Sequence, residues 1–352
     1  MRRFDYSFLE NGLLPAMIID KVVSIGVLRE KEQALKEKYQ TVFTKLEVVA
    51  KLQSVRGSNA IEGIVTTDKR IEAIVNQNSA PLNHAEIEIS GYRDALNLVH
   101  ENHDKLRINE QEILNLHKIM EADNERIIGG QYKEEDNLII AVDAWGNRVI
   151  RFAPVPASET PQAMEQLILA YMDAKQSYSI NQLFLIPCFI LDFLCIHPFA
   201  DGNGRISRLL SLLMLYKNGF DAGKYISFEE QINKHKGAYY NSLHLSSQNW
   251  HDNTSDYYPF MENFISTLFM CYQELNKRFA VIGDKRLSKK NRVETAVMNS
   301  LMPISKRELQ FILPDISIKT IERVLSEMQN TGIIKKDGSF RDARYYSTGS
   351  RQ

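Results

Sequence analysis

Two apolar stretches, Leu183 to Ile196 and Ile206 to Tyr216, constrain the fold of this chain more than anything else in it. Neither alternates apolar with polar residues and both outrun a usual strand, so each reads as a helix buried on all sides. The first is too short to cross a bilayer and contains Pro187 and Asp192, so it does not read as a membrane span. Two such helices need a jacket. Met17 to Glu32, Leu35 to Val55, Gly91 to Met120, Gln162 to Lys175, Tyr225 to Trp250 and Asn253 to Phe279 carry apolar residues at helical spacing and can supply it. The expected fold class is therefore mainly α, and 352 residues suffice for two or three domains with a substantial core.

With 44% apolar and 25% charged residues the chain sits near the average of soluble globular proteins, so no membrane partner is expected. Arg2 and Arg3 are followed closely by Asp5 and Glu10 without a small-residue cleavage site, which argues for a cytoplasmic protein. Cys188, Cys195 and Cys271 lack metal-ligand spacing and read as reduced core residues.

The polar corner between the two buried helices concentrates the chemistry: His197-Pro198-Phe199-Ala200-Asp201-Gly202-Asn203-Gly204-Arg205-Ile206-Ser207-Arg208. It sits at a helix start, where free backbone N–H groups and the positive end of the helix dipole make an anion site. Gly202 and Gly204 let successive amides curl inward as a nest. Arg205 and Arg208, three positions apart, can face one side and grip separate phosphates. Asp201 is a hard oxygen ligand of the kind Mg2+ accepts when nucleotide phosphates complete its shell. His197 is placed to take a proton from an attacking hydroxyl.

This stretch resembles the Fic (filamentation induced by cAMP) family motif, His-Pro-Phe-x-Asp/Glu-Gly-Asn-Gly-Arg-x-x-Arg, at every specified position. The resemblance covers roughly Leu46 to Phe279. It implies a Fic-type helical bundle with a β-hairpin flap, and a protein adenylyltransferase that moves AMP from ATP to a Ser, Thr or Tyr hydroxyl of a target protein, itself included, releasing pyrophosphate. Carried over, His197 would be the base, Asp201 would hold Mg2+, and Asn203 with the amides of Gly202 to Gly204 would seat the phosphates. Arg205 would hold the β-phosphate and Arg208 the γ-phosphate, with Phe199 packing beneath the loop. Tyr239 and Tyr240 match a pair that borders the nucleotide base, with Asn241 or Asn249 as a further base contact.

Ser58-Asn59-Ala60-Ile61-Glu62-Gly63 resembles the family's inhibitory helix motif, Ser/Thr-x-x-x-Glu-Gly/Asn, here on the N-terminal side of the core. Ser58 and Glu62 share a helix face and Gly63 suits the helix end. The resemblance implies that Glu62 pairs with Arg208 and denies it to ATP. Asn137 to Ile140 and Val149 to Phe152, around Ala144-Trp145-Gly146-Asn147, read as a hairpin. In the family a hairpin here is the target-docking flap, with Ile139 and Ile140 as its clamp. His117 lies on an apolar stripe and reads as a core histidine.

Charge divides the chain. From Lys285 to Gln352 there are 14 basic and 7 acidic residues, a surplus of +7 in a chain of net charge −1, so the first 284 residues carry −8. The basic tail has the layout of a winged helix: helices Asn291 to Leu301, Ser305 to Leu313 and Ser317 to Thr331 with a turn at Pro314, then two strands around Asp337-Gly338. Ser305 and Glu308 form a capping box. Ile318, Ile321, Leu325 and Met328 make the expected buried stripe, which leaves Lys319, Thr320 and Arg323 outward, with Lys335, Lys336, Arg341 and Arg344 on the wing as candidate DNA contacts. The expected domains are 1–110, carrying the inhibitory motif, 111–284, the catalytic core, and 285–352. Family members often pair through helices, so a homodimer is a candidate assembly. Other readings are a DNA-binding regulator whose core senses nucleotide, transfer of UMP or phosphocholine, and removal of AMP.

Overall fold

The computed structural model describes the chain apart from residues 1, 12–13, 143–146, 178, 284–287, 299, 301–302, 314, 339–342 and 349–352. Its elements run α1 (Phe8–Asn11), α2 (Ala16–Lys38), α3 (Gln40–Ile61), α4 (Asp68–Gln77), α5 (His84–Asn102), α6 (Glu110–Met120), β1 (Ile139–Val142), β2 (Arg148–Phe152), α7 (Thr160–Gln176), α8 (Gln182–Ile196) and α9 (Asn203–Lys217). There follow α10 (Phe228–Lys234), α11 (Lys236–Ser247), α12 (Tyr258–Gly283), α13 (Lys289–Met298), β3 (Ile304–Ser305), α14 (Lys306–Ile312), α15 (Ile318–Asn330), β4 (Ile334–Asp337) and β5 (Arg344–Ser347).

The two apolar stretches become α8 and α9, packed on each other at the centre. All of α8 but Gln182 and Phe184 is buried, as is all of α9 but Gly204 and Lys217. The jacket divides the work. Helices α7, α11 and α12 cover α8, while α3, α5 and α6 cover α9, and α2 lies along α12. Among the described residues no helix is long and apolar enough to cross a membrane.

The long N-terminal helical pattern breaks at Tyr39, which separates α2 from α3. The turn is held by α12, since the rings of Phe43 and Phe279 stack with centroids 4.9 Å apart. That contact aims α3 so that its C-terminal turn reaches the start of α9. Strands β1 and β2 pair antiparallel, with Ile140 opposite Ile150 and a register shift between Ile139 and Ile140. Of the expected turn, Ala144, Trp145 and Gly146 lie outside the described residues.

The C-terminal segment has its own apolar cluster, including Val293, Val297, Leu309, Ile321, Leu325, Ile334 and Tyr345. Its three-stranded antiparallel sheet has the order β3-β5-β4; the two-residue β3 has too short a signal to read from sequence. Both halves of the Ser305–Glu308 capping box form, and Glu308 also pairs with Lys45 of α3. Pro314 and Arg341 lie outside the described residues. The buried stripe of α15 differs from expectation by one residue: Val324 is buried, whereas Ile318, the first residue after the Ser317 cap, is 42% exposed. A residue at the first helical position has the helix on one side only, so periodicity overstates its cover.

Helices α5 and α6 touch at the backbone, because a Cβ on Gly91 would stand 1.9 Å from the Met120 carbonyl oxygen. Met120 in turn lies against Gly202, so this contact sets the floor of the corner between α8 and α9. Gly91→Ala should therefore destabilise the protein by about 1–3 kcal/mol, the usual cost of overpacking. Urea unfolding of the variant measures it, and an unchanged midpoint contradicts the close approach.

Candidate functional site

Helix α8 ends sharply. His197 adopts the left-handed conformation (φ 54°, ψ 60°), and its N–H still donates to the Phe193 carbonyl at 2.9 Å. Such a conformation costs a non-glycine residue about 1–2 kcal/mol, so the surroundings must hold it. Much of that hold comes from the loop that follows. The Asn203 side chain accepts the Phe199 N–H at 2.9 Å and donates to the Phe199 carbonyl at 2.8 Å. Phe199 is fully buried and stacks on His117, ring centroids 3.8 Å apart and planes within 9°.

His117 does more than fill the core. Its Nδ1 accepts the Gly130 N–H at 2.9 Å, which leaves the proton on Nε2 to donate to the Asp201 carbonyl at 3.2 Å. Burial pushes its pKa down to about 4, so the ring stays neutral and this tautomer persists. Gly202, at φ 80°, then turns the chain into α9, and its N–H donates to Asp201 Oδ1 at 2.6 Å.

His197 is half-buried, with Nδ1 3.3 Å from the Leu194 carbonyl. Donation from Nδ1–H to that carbonyl leaves Nε2 as the free acceptor. Burial lowers the ring's pKa to about 4, and the nearby Lys133 ammonium pushes the same way, so the imidazole is neutral at physiological pH. The Asp201 carboxylate is 63% exposed at the mouth of the loop. Among the described residues no three His, Cys, Asp or Glu side chains converge as a metal centre. A lone exposed carboxylate beside unpaired helix-start amides fits Mg2+ that takes the rest of its shell from phosphate and water.

Three expectations change here, the first being that the Gly202 N–H, expected at a phosphate, is already given to Asp201 Oδ1. Both ends of the Asn203 amide are committed to Phe199, so only its backbone N–H is left to offer a phosphate. Arg205, expected at the β-phosphate, is 1% exposed and lies 2.9 Å from Glu88 Oε2 and 3.2 Å from Glu121 Oε1. Neither contact is aligned as a hydrogen bond, and Arg205 Nε and Nη1 and Glu121 Oε1 are left without one. The cation forms the floor of the nest because carboxylates on α5 and just after α6 draw it down, partners that lie far away in sequence.

Arg208 is 2% exposed and belongs to α3 as much as to α9. Its Nε donates to Ser58 Oγ at 2.8 Å, and its Nη2 donates to the Ser58 carbonyl at 2.9 Å and to Glu62 Oε1 at 2.8 Å. The end of α3 is accounted for group by group. Arg208 takes the Ser58 carbonyl, Glu62 and Ile64 N–H take Asn59, and Gly63 N–H takes Ala60. Lys236 Nζ at 2.5 Å and the Tyr240 hydroxyl at 3.4 Å take Ile61. Gly63, at φ 81°, supplies the left-handed residue that this helix end requires. Gly204 matters for the same contact, since a Cβ there would stand 2.2 Å from Glu62 Oε1.

Behind Arg208 lies a buried carboxylate that sequence reasoning missed. Glu229 accepts from the Tyr92 hydroxyl at 2.9 Å and from Ser54 Oγ at 2.7 Å, one turn before Ser58 on α3. Tyr239 is buried beside Arg208 and Ser207, while Tyr240 is half-exposed, with Arg151 and Lys236 5.9 and 5.7 Å from its ring centroid. The carbonyl of Tyr240 accepts from Arg151 of β2, which ties the hairpin to α11. On the hairpin Leu138, Ile140 and Ile150 are exposed, while Ile139 is half-buried. Asn241 and Asn249 are both exposed. In the C-terminal segment Lys319, Lys335 and Lys336 are exposed and Thr320 half-buried, whereas Arg323 pairs with Glu327 at 2.6 Å. His117 is the satisfied core histidine its stripe suggested. None of the missed partners, Glu88, Glu121, Glu229 and Tyr92, carries a local motif; their one signal is a polar residue in or just after an otherwise apolar helical stripe.

Residues 107–215 match the family model described as the Fic/DOC family. The chain is 29% identical over 123 residues to a Fido domain-containing protein of Dictyostelium discoideum, covering 34% of this chain and 72% of that one. It is 28% identical over 167 residues to the protein adenylyltransferase fic-1 of Caenorhabditis elegans, 47% of this chain but only 27% of the worm protein. Among solved structures, a Fic family protein from Desulfovibrio desulfuricans superposes with a TM-score of 0.61 at 22% identity, covering 97% of this chain and 98% of that one. Fic-1 of C. elegans superposes with a TM-score of 0.52 at 20% identity, over 73% of this chain and 71% of that one. These structural likenesses concern the fold.

His117 gives the site a pH signature. Its folded pKa of about 4 lies below the ordinary value near 6.5, so between those values the unfolded chain binds the extra proton and stability falls as pH falls. His117→Phe keeps the stack on Phe199 and removes the titration. Urea unfolding at pH 7 and pH 5 should show the stability gap between native chain and variant narrowing at the lower pH; a constant gap contradicts a neutral, buried His117.

Proposed function

We propose, from the premise that residues 107–215 of this chain form a Fic/DOC-family domain, that the protein is an autoinhibited adenylyltransferase acting on protein hydroxyls. The observation that carries this reading is the ion pair of Glu62 with Arg208, made across the same corner that presents the neutral His197 and the α9 amides. A corner built only for structure would not aim an imidazole, a carboxylate and free helix-start amides at one mouth.

The ATP triphosphate lies over the start of α9, where backbone N–H groups from Asn203 onward receive it. Arg205 supports it from below with N–H groups that lack aligned partners. Asp201 is the residue that would hold Mg2+, which supplies positive charge to the phosphates. The adenine stacks on Tyr240, the half-exposed member of the pair. A target segment adds along the hairpin, with the exposed Leu138, Ile140 and Ile150 as its apolar contacts and the half-buried Ile139 fixing the strand. His197 Nε2 takes the proton of the target hydroxyl as that oxygen attacks the α-phosphorus, and the bond to pyrophosphate breaks.

Glu62 opposes this sequence. Its carboxylate holds the guanidinium meant for the γ-phosphate and puts negative charge where phosphate has to lie, so ATP binds in a pose the hydroxyl cannot attack. The Glu62→Gly variant, assayed with α-labelled ATP and mass spectrometry of the product, should transfer AMP at least about tenfold faster than the native chain. His197→Ala in that background should lose about 10²–10⁴-fold. An unchanged rate on removing Glu62 would refute the brake, and a labelled product from another nucleotide would replace the substrate assignment.

The C-terminal segment is read as a winged helix, supported by its helix and strand order and its separate core. Lys319, Lys335 and Lys336 are its exposed cations for DNA phosphates, with Thr320 and Arg323 on the same helix. Binding to duplex DNA should weaken steeply between 50 and 200 mM salt. No shift of duplex DNA at low salt would assign the segment to protein contacts instead.

A further inference from the structure

Lys133, at the root of the hairpin, is a lysine only 5% exposed. Its contacts all face the catalytic corner or the hairpin that starts there. Its backbone N–H donates to the Pro198 carbonyl at 2.9 Å, and its Nζ donates to the Ile196 carbonyl at 3.3 Å and to Asn137 Oδ1 at 2.8 Å. Asn137 then donates through Nδ2 to the Phe199 carbonyl at 3.2 Å. The residues on either side of His197, together with Phe199, are thus tied to one short segment.

The physical need is clear at Ile196. It is the last residue of α8, and its carbonyl has no helical donor because His197 has turned into the left-handed region. An ammonium at a helix C-terminus satisfies such a carbonyl and suits the dipole. Among the described residues no carboxylate forms an ion pair with Lys133; its Nζ donates to neutral oxygens, with Asp136 acting at longer range. Burial lowers its own pKa to about 8, which still leaves it mostly charged at neutral pH.

We propose that Lys133 is the positioning residue of His197: it closes the end of α8 and fixes the imidazole with Nε2 directed at the incoming hydroxyl. Its charge has a second effect. The groups acting on His197 are Lys133 on one side and Glu62 and Asp201 on the other, so Lys133 is the cation that opposes proton uptake by the base. This assignment rests on the reading of His197 as the general base.

The test uses the full chain carrying Glu62→Gly, with Lys133→Met, Lys133→Gln and Lys133→Arg added in turn. Lys133→Met should lower kcat about 10- to 100-fold, as displacement of a reacting group does, with KM for ATP within about twofold. The acid limb of the rate profile should move to higher pH, and the His197 ring, followed by NMR of labelled histidine, should titrate at higher pH by the same amount. Lys133→Gln, which keeps a donor but no charge, should show the shifted titration with a smaller loss of kcat. Lys133→Arg should return both toward the parent. A merely structural lysine would lower stability and kcat while leaving the His197 titration in place, and that outcome overturns the proposal, as does an unchanged kcat. The NMR titration needs no turnover. An inactive Glu62→Gly parent therefore refutes the adenylyltransferase reading while the ring titration still decides whether Lys133 acts on His197.

Discussion

A guanidinium buried in a helical bundle has to be paired, because an uncompensated charge there costs several kcal/mol. Arg208 is that guanidinium, and the position of α3 follows from it. Its three hydrogen bonds, to Ser58 twice and to Glu62 once, fix the height, rotation and end of α3 against α9. Glu229 repeats the logic one turn earlier through Ser54 and Tyr92. Arg208 and Glu62 are thereby parts of the fold's own pairing, and loss of Glu62 has to leave Arg208 another anion.

The corner itself is held by polar contacts to backbone rather than by packing alone. Asn203 closes the loop on Phe199, His117 holds Asp201 from beneath, and Gly202 and Gly204 admit Met120 and Glu62 at distances no side chain would allow. Rigid support of this kind keeps an acceptor nitrogen and a row of amides in place without substrate, the preorganisation that charge-developing reactions profit from. The hairpin and α11 are joined to the same frame, since Arg151 reaches the Tyr240 carbonyl and Tyr240 reaches the end of α3.

Much of this was legible beforehand. The twelve-residue motif named its own residues, and the pairing of Glu62 with Arg208 followed from a second short pattern. The helices were legible from period, and the Ser305 cap from its box. What was missed has one cause. Glu88, Glu121, Glu229, Tyr92 and Lys133 act through contacts to residues far off in sequence, and single polar residues on apolar stripes look alike until the stripe is packed. Arg205 illustrates the point: its spacing from Arg208 suggested a second phosphate grip, and only the two carboxylates beneath it show why it points to the floor.

The sequence by itself determined two all-round apolar helices with a glycine-bent polar corner between them, because apolar periodicity and glycine freedom are local properties. Only the tertiary structure decided which side chains the corner keeps for itself. Burial strips water from Asn203, Arg205 and Arg208 alike, and the partners that replace that water come from α3, α5, the end of α6 and the loop itself, whose meeting no local pattern encodes.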